Sequence, residues 1–348
     1  MWTDKKEEAA QMHGYAGTYY SENSRGIYHF TFDPESGCLT QPKLFYEAPN
    51  AKWVCANSGS MVFPVERQGR AGVCFLELRD GNVIHAAEIL EEKQTPCYIL
   101  QDGNYVYTAN YHEGNVMVYC LEEGVPALTR RIESGAKAGC HQILLHGTYL
   151  MVPCLEQNRI RLFDREDDFA PAGEITFPAG SGPRHGIFNH SHTRFYAVSE
   201  WSNQLFVFRV QGREFNLVQA ISVLPEGGSG NKQAAAAAIR LTGDERFLYI
   251  SIRGIDRLCV VDVSGDQAAV IQHCSCGGVH PRDIVLSGNE RFLLAANRFE
   301  GGIVSIERDV NSGLLGSPIH AVPLPEGVAL TLAPTQAPTQ APTQPKEA

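Results

Sequence analysis

Basic residues are in the minority. The chain carries 29 Lys and Arg against 39 Asp and Glu, a net charge of −10, with the acidic residues scattered. A surface that binds nucleic acid or an anionic membrane needs the opposite balance, so neither partner is expected. A small anionic molecule held by a few local arginines is compatible with it. Long apolar runs are also missing. No stretch approaches the ~18 apolar residues of a membrane span, and the N-terminal MWTDKKEEAA lacks the apolar segment of a secretory signal. Ten cysteines are present without a CxxC pair or a regular framework. Most fall in apolar, strand-like runs (Cys74, Cys120, Cys259), where a free thiol acts as a small buried hydrophobe. A reduced, cytoplasmic protein is expected. Cys274-Ser-Cys276 is the one close pair, a weak spacing for metal or redox chemistry.

Several catalytic signatures are absent: no GxSxG elbow, no HExxH, no P-loop and no Rossmann glycine run. No Asp and Asn cluster marks a Ca²⁺ site. The expectation is chemistry without metal or cofactor.

What is present is a repeat. Seven related strands begin at Ile27, Val73, Val116, Ile160, Leu205, Leu258 and Ile303, in steps of 46, 43, 44, 45, 53 and 45 residues. A period near 45 built from short strands predicts a β-propeller, here all-β with seven blades. Each of these outer-type strands has a partner just before it, as RFYAVSE precedes LFVFRVQ. Six of the seven have a further, innermost strand before that: WVCAN, CYILQD, HQILLH, HGIFNH, AAAIRLT and RDIVLSG. The first repeat lacks this strand, and the C-terminal GVALTLA (327–333) is expected to fill the vacancy and close the ring, removing two aggregation-prone edges. Residues 234–238, AAAAA, have helical propensity yet fall at an innermost strand, where small side chains relieve crowding. The 53-residue step holds an insertion, LPEGGSGNKQ (224–233), a loop that could cradle an anion or be inert. Residues 1–11 are expected to be loose, 12–333 to form the propeller, and the APTQ-repeat tail 334–348 to be disordered.

Sorting ionisable residues by place in the repeat brings a pattern out. Starts of innermost strands carry Cys140-His141, Arg184-His185 and His280-Pro281-Arg282. Ends of second strands carry Asn110-Tyr111-His112, Glu156, Glu200-Trp201, Arg253 and Asn297-Arg298. In an antiparallel pair the start of one strand and the end of the next share an edge, so these groups should ring one mouth of the channel. Arg binds anions bidentately, His or Glu takes a proton from water, and an Arg near a carbonyl stabilises an oxyanion. Such a set suits hydrolysis of an anionic ester. Plainer roles exist for each. Glu200 and Arg253 would also serve as an inter-blade ion pair, His185 as a buried blade residue, and Arg282 and Arg298 as satisfied surface groups. Asp102, Asp244 and Asn289 are expected to be turn residues.

Gly139-Cys-His141, VPCLEQNRIRLFD (152–164), GPRHGIF (182–188) and HPRDIVLSGNERFLLAANR (280–298) resemble the seven-bladed propeller lactonase family, from about Gly14 to Leu332. That family includes bacterial 6-phosphogluconolactonases and a fungal 3-carboxy-cis,cis-muconate lactonizing enzyme. The resemblance implies a catalytic set of His141, Arg184, Glu200 and Arg253. His185, His112, Arg282 and Arg298 are expected substrate contacts. The implied substrate is a small anionic lactone, with 6-phosphogluconolactone foremost, and Glu200 or His141 activates a water. The loop 224–236 departs from the family, which often has larger and aromatic residues there, and leaves substrate identity open. A lactone-forming cycloisomerase and a non-catalytic binding propeller are the alternatives, and the oligomeric state is undetermined.

Overall fold

The computed structural model describes residues 11–57, 59–135, 137–227 and 233–333. They form seven four-stranded antiparallel sheets. Blade 1 runs, from the axis outward, Gly327–Leu332, Met12–Thr18, Gly26–Phe32 and Lys43–Glu47. The other innermost strands are Cys55–Ala56, Tyr98–Asp102, Leu144–His146, Pro183–Phe188, Ala235–Leu241 and Val279–Leu286, in blades 2 to 7. The C-terminal strand pairs with the N-terminal one, Gly14 opposite Leu332 and Ala16 opposite Leu330, so the ring closes as the repeat predicts. Ala236, Ala237 and Ala238 are fully buried in an innermost strand, as expected for the alanine run. Asp244 and Asn289 accept hydrogen bonds in inter-strand turns, from Arg246 N–H and Arg291 N–H.

One expectation needs correcting. The strands taken as outermost are third from the axis. A fourth flanks each of them: Lys43–Glu47, Asn82–Glu92, Val125–Glu133, Ala170–Thr176, Glu214–Ser222, Ala269–Ser275 and Leu315–Val322. These strands are largely exposed, so their sequences carry polar residues where the inner strands carry apolar runs. Exposure erased the signal. The N-terminal 1–10 and the tail 334–348 lie outside the described residues, as do 228–232, the centre of the expected anion-cradling loop.

The core lies between blades. Seven apolar clusters fill the seven blade interfaces, for instance Val198, Leu205, Ile250 and Cys259 between blades 5 and 6. A single blade therefore cannot bury its own faces. Buried carboxylates add stitches. Glu92, at the end of blade 2, accepts hydrogen bonds from Thr108 Oγ1 (3.0 Å), Asn110 Nδ2 (2.8 Å) and Tyr119 OH (3.1 Å) of blade 3. Asp283 of blade 7 takes Arg240 of blade 6 at 2.8 Å and the Leu330 N–H of the closing strand at 3.0 Å.

Candidate active site

The innermost strands do not run regularly to their starts. In blade 5 the pairing jumps from Pro183–Ser199 to His185–Val198, which leaves Arg184 on a bulge. In blade 7 it jumps from Pro281–Asn297 to Asp283–Ala296, which leaves Arg282 on the equivalent bulge. Both follow a proline, which cannot donate to a ladder. In blade 6 the register breaks between Ala236 and Ile239. In blade 4 an isolated Cys140–Cys154 bridge precedes the regular strand, and His141 follows it. Bulges re-aim side chains, and here they turn Arg184 and Arg282 into the pocket that His141 also lines.

Two glycines make the turns possible. Gly182 has φ +64°, and a Cβ there would sit 2.8 Å from Trp201 Cδ2. Gly139 has φ +67° and lies against Glu156 and Tyr111. The Gly182 carbonyl accepts the Glu200 N–H at 2.8 Å, which sets Glu200 beside the Arg184 bulge.

The charges then meet. Glu200 Oε2 lies 2.9 Å from Arg184 Nε and 2.8 Å from Arg253 Nη2. The Arg184 Nε–H is not aimed along its contact, which is an ion pair rather than an aligned hydrogen bond. Arg184 Nη1 donates to the Ala237 carbonyl at 2.7 Å and Arg253 Nε to the Ala235 carbonyl at 3.2 Å, so the alanine run holds both guanidiniums through its backbone. Burial pushes the Glu200 carboxyl pKa up, but Arg253 and Arg184 outweigh it and hold it below the usual range. Burial and Arg253 push the Arg184 pKa down, against the pull of Glu200.

His141 is 6% exposed, and among the described residues its Nδ1 has no partner in hydrogen-bonding geometry. Burial, then Arg184 and Arg282, drive its pKa well below the ordinary value, so it is neutral at pH 7. His185 is also buried, its ring 5.1 Å from that of His141 and edge-on to Tyr98 and Trp53. Its pKa is depressed by burial and Arg184.

Among the described residues the pocket is lined by Tyr19, Lys52, Trp53, Cys97, His141, Arg184, Arg282 and Val328: three cations and no carboxylate. About 10 Å³ is free inside, room for one water. Among the described residues, no three His, Cys, Asp or Glu side chains gather as metal ligands would.

His141, Arg184, Glu200, Arg253, His185 and Arg282 thus come together. Two expected contacts are placed otherwise. Arg298 is held by Glu326, Nε to Oε2 at 2.7 Å, at the edge of the group. His112 is exposed, and its ring touches Tyr111, which in turn contacts His141. Lys52, Cys97 and Tyr19 were not singled out from the sequence. The signal for two of them existed: Lys52-Trp53 and Cys97-Tyr98 occupy the innermost-strand starts of blades 2 and 3, the position that carries Arg184 in blade 5. Tyr19 follows an edge irregularity in blade 1 and had no such marker.

Residues 13–332 match a family described as lactonase, 7-bladed beta-propeller. The chain belongs to this lactonase family. It is 30% identical over 326 residues to the 6-phosphogluconolactonase of Bacillus subtilis, an overlap of 87% of this chain and 93% of that one. Among solved structures it is similar to a Lactobacillus plantarum protein, with a TM-score of 0.85 at 25% identity over 93% and 99% of the two chains. It also resembles the periplasmic gluconolactonase of Pseudomonas aeruginosa, with a TM-score of 0.82 at 24% identity over 93% and 99% of the chains, a likeness that speaks for the fold. No helix among the described residues is long and apolar enough to cross a membrane.

Proposed function

We propose that this propeller hydrolyses a sugar lactone, foremost 6-phosphogluconolactone to 6-phosphogluconate, as a cytoplasmic enzyme of the pentose phosphate route. The observation that carries the reading is the unpartnered Nδ1 of a neutral His141 beside Arg184, in a pocket lined by cations without a carboxylate. The named Bacillus subtilis relative supports it.

In this reading His141 takes a proton from water as the water oxygen bonds to the lactone carbonyl carbon. The Arg184 guanidinium, held by Glu200 and Ala237, faces the charge that develops on the carbonyl oxygen. Collapse breaks the bond to the ring oxygen, which receives the proton back from His141, and the new acid ionises. An anionic substrate would also raise the His141 pKa by offsetting nearby positive charge, making it a stronger base once the substrate is bound. Glu200, paired twice and held as a carboxylate, suits a positioning role better than that of the base.

The test is hydrolysis of freshly made 6-phosphogluconolactone with spontaneous opening subtracted, comparing wild type with His141→Gln. Removal of a general base should cost roughly 10²–10⁴-fold in kcat with little change in melting temperature. A wild type no faster than the spontaneous reaction would overturn the reading, and a panel including carboxymuconate would then examine the cycloisomerase alternative.

A further inference from the structure

Three cations crowd the ring of Tyr19. Arg298 Cζ lies 4.5 Å from its centroid, Arg282 Cζ 5.2 Å and Lys52 Nζ 5.9 Å. Arg298 has its counter-charge in Glu326. Lys52 and Arg282 do not: neither side chain makes a hydrogen bond or ion pair among the described residues, and each rests on the Tyr19 ring. Both are half-buried and line the same pocket as His141 and Arg184.

In a chain of net charge −10, these two half-buried cations have no contacting carboxylate among the described residues, and Glu200 feels Arg282 only through space. Arg253 has its carboxylate and carbonyl partners, and Arg184, held in the same way, faces the carbonyl oxygen in the lactonase reading, so neither is left for a second anionic group. Lys52 and Arg282 hold their charge in reserve. An aromatic face is a weaker partner for a cation than an anionic oxygen, whose hydrogen bonds are charge-assisted. A guanidinium takes two oxygens of a phosphoryl group, and an ammonium adds a point charge. The two residues come from innermost-strand starts in blades 2 and 7, on either side of the closing strand that supplies Val328 to the wall.

Resting on the lactonase reading, we propose that Lys52 and Arg282 form the subsite for the substrate's phosphoryl group, and that the Tyr19 ring occupies their faces until substrate displaces it. Displacement also answers the pocket's small free space, since Tyr19 is part of its lining. An unphosphorylated gluconolactone offers these cations only a hydroxymethyl group, so the subsite sets preference between the two lactones.

The experiment compares kcat/KM for 6-phosphogluconolactone and for gluconolactone in wild type, Lys52→Met, Lys52→Arg and Arg282→Gln. Titrations with 6-phosphogluconate and with gluconate run alongside. Wild type should prefer the phosphorylated lactone. Lys52→Met and Arg282→Gln should each lower the ratio of the two kcat/KM values by about ten- to a hundredfold, through KM, and Lys52→Arg should restore most of it. A ratio unchanged in both variants, in proteins that melt like wild type, would overturn the subsite and leave the lactonase reading intact. Should wild type open neither lactone, the lactonase reading falls and the titrations decide. Tighter binding of 6-phosphogluconate than of gluconate, lost in Lys52→Met, would still support a phosphoryl clamp. Equal binding of both, or of neither, would remove it.

Discussion

Arg184 and Glu200 form a 2.9 Å ion pair with the arginine side chain 3% exposed, although sixteen residues separate them in the chain. The Arg184 bulge and the Gly182 turn bring them together, and Arg253 of the next blade completes the triad on the same carboxylate oxygen. The carboxylate is what makes two adjacent buried guanidiniums tolerable.

Removing that charge should be costly to the fold as well as to the reaction. Glu200→Gln would leave two buried cations without their partner, a loss of about 3–5 kcal/mol. Urea denaturation of the variant should show it as a lower midpoint. The double variant Arg184→Met, Glu200→Gln should lose less than the two single changes added, because the first removes part of what the second strands. Strict additivity would mean the pair is not coupled.

His141 should remain neutral well into acid. Its folded pKa lies far below the usual ~6.5, because protonation in a buried site beside Arg184 and Arg282 is opposed. As pH falls from 8, kcat/KM should stay flat past 6.5 and decline only in more acid solution, once spontaneous lactone opening is subtracted. Arg282→Gln removes one of the opposing charges and should move the acid limb upward. The stability sign runs the same way: below about pH 6.5 the unfolded chain binds more protons at His141 and His185, so stability falls as pH falls. An acid limb centred at or above 6.5 would argue against His141 as the base.

Gly182→Ala should damage blade 5 from a single methyl group. The position needs φ +64°, and the added carbon would meet Trp201 Cδ2 at 2.8 Å. Left-handed strain in a non-glycine residue costs about 1–3 kcal/mol, and a displaced Trp201 would carry its neighbour Glu200 with it. A lower melting temperature, a changed tryptophan emission and reduced lactone turnover are expected together. Pairing the change with Trp201→Ala relieves the clash but not the backbone strain, so only part of the stability should return.

Glu92 predicts a pH dependence of the fold at the seam between blades 2 and 3. Burial raises its pKa to about 7 in the folded protein, above its ordinary 4.5. Between those values the folded state binds the proton more tightly, so this residue's contribution to stability falls as pH rises through that window. Glu92→Gln stays neutral throughout. Relative to wild type it should gain on the order of 3 kcal/mol between pH 4.5 and 7.5. Denaturant midpoints for the two proteins at several pH values would reveal a difference that grows with pH, and a constant difference would refute the assignment.

Much of this was legible in the chain. The seven strand anchors near 45-residue spacing, from Ile27 to Ile303, follow from local alternation and turn chemistry, which act over a few residues. The vacancy in the first repeat and the spare strand 327–333 predicted the closure that Gly14 and Leu332 make. The list of Arg, His and Glu at strand ends was also readable, because position in a repeat carries over to position on a rim. The outermost strands were not readable, because Lys43–Glu47 or Glu214–Ser222 face solvent and need no apolar pattern.

By itself, then, the sequence determined the blade number, the ring closure and the residue types presented at one mouth, since each depends on short-range periodicity and on the repeat. Tertiary structure alone decided which of those residues act on one another. Bulges turn Arg184 and Arg282 inward, the neighbouring blade 6 supplies Ala237 and Arg253 as partners, Glu326 neutralises Arg298, and Lys52 has no contacting carboxylate among the described residues. The physical reason is that pairing and desolvation are set by atoms brought close across blade interfaces. A charge's partner and its pKa depend on those atoms, and the linear chain does not show which they are.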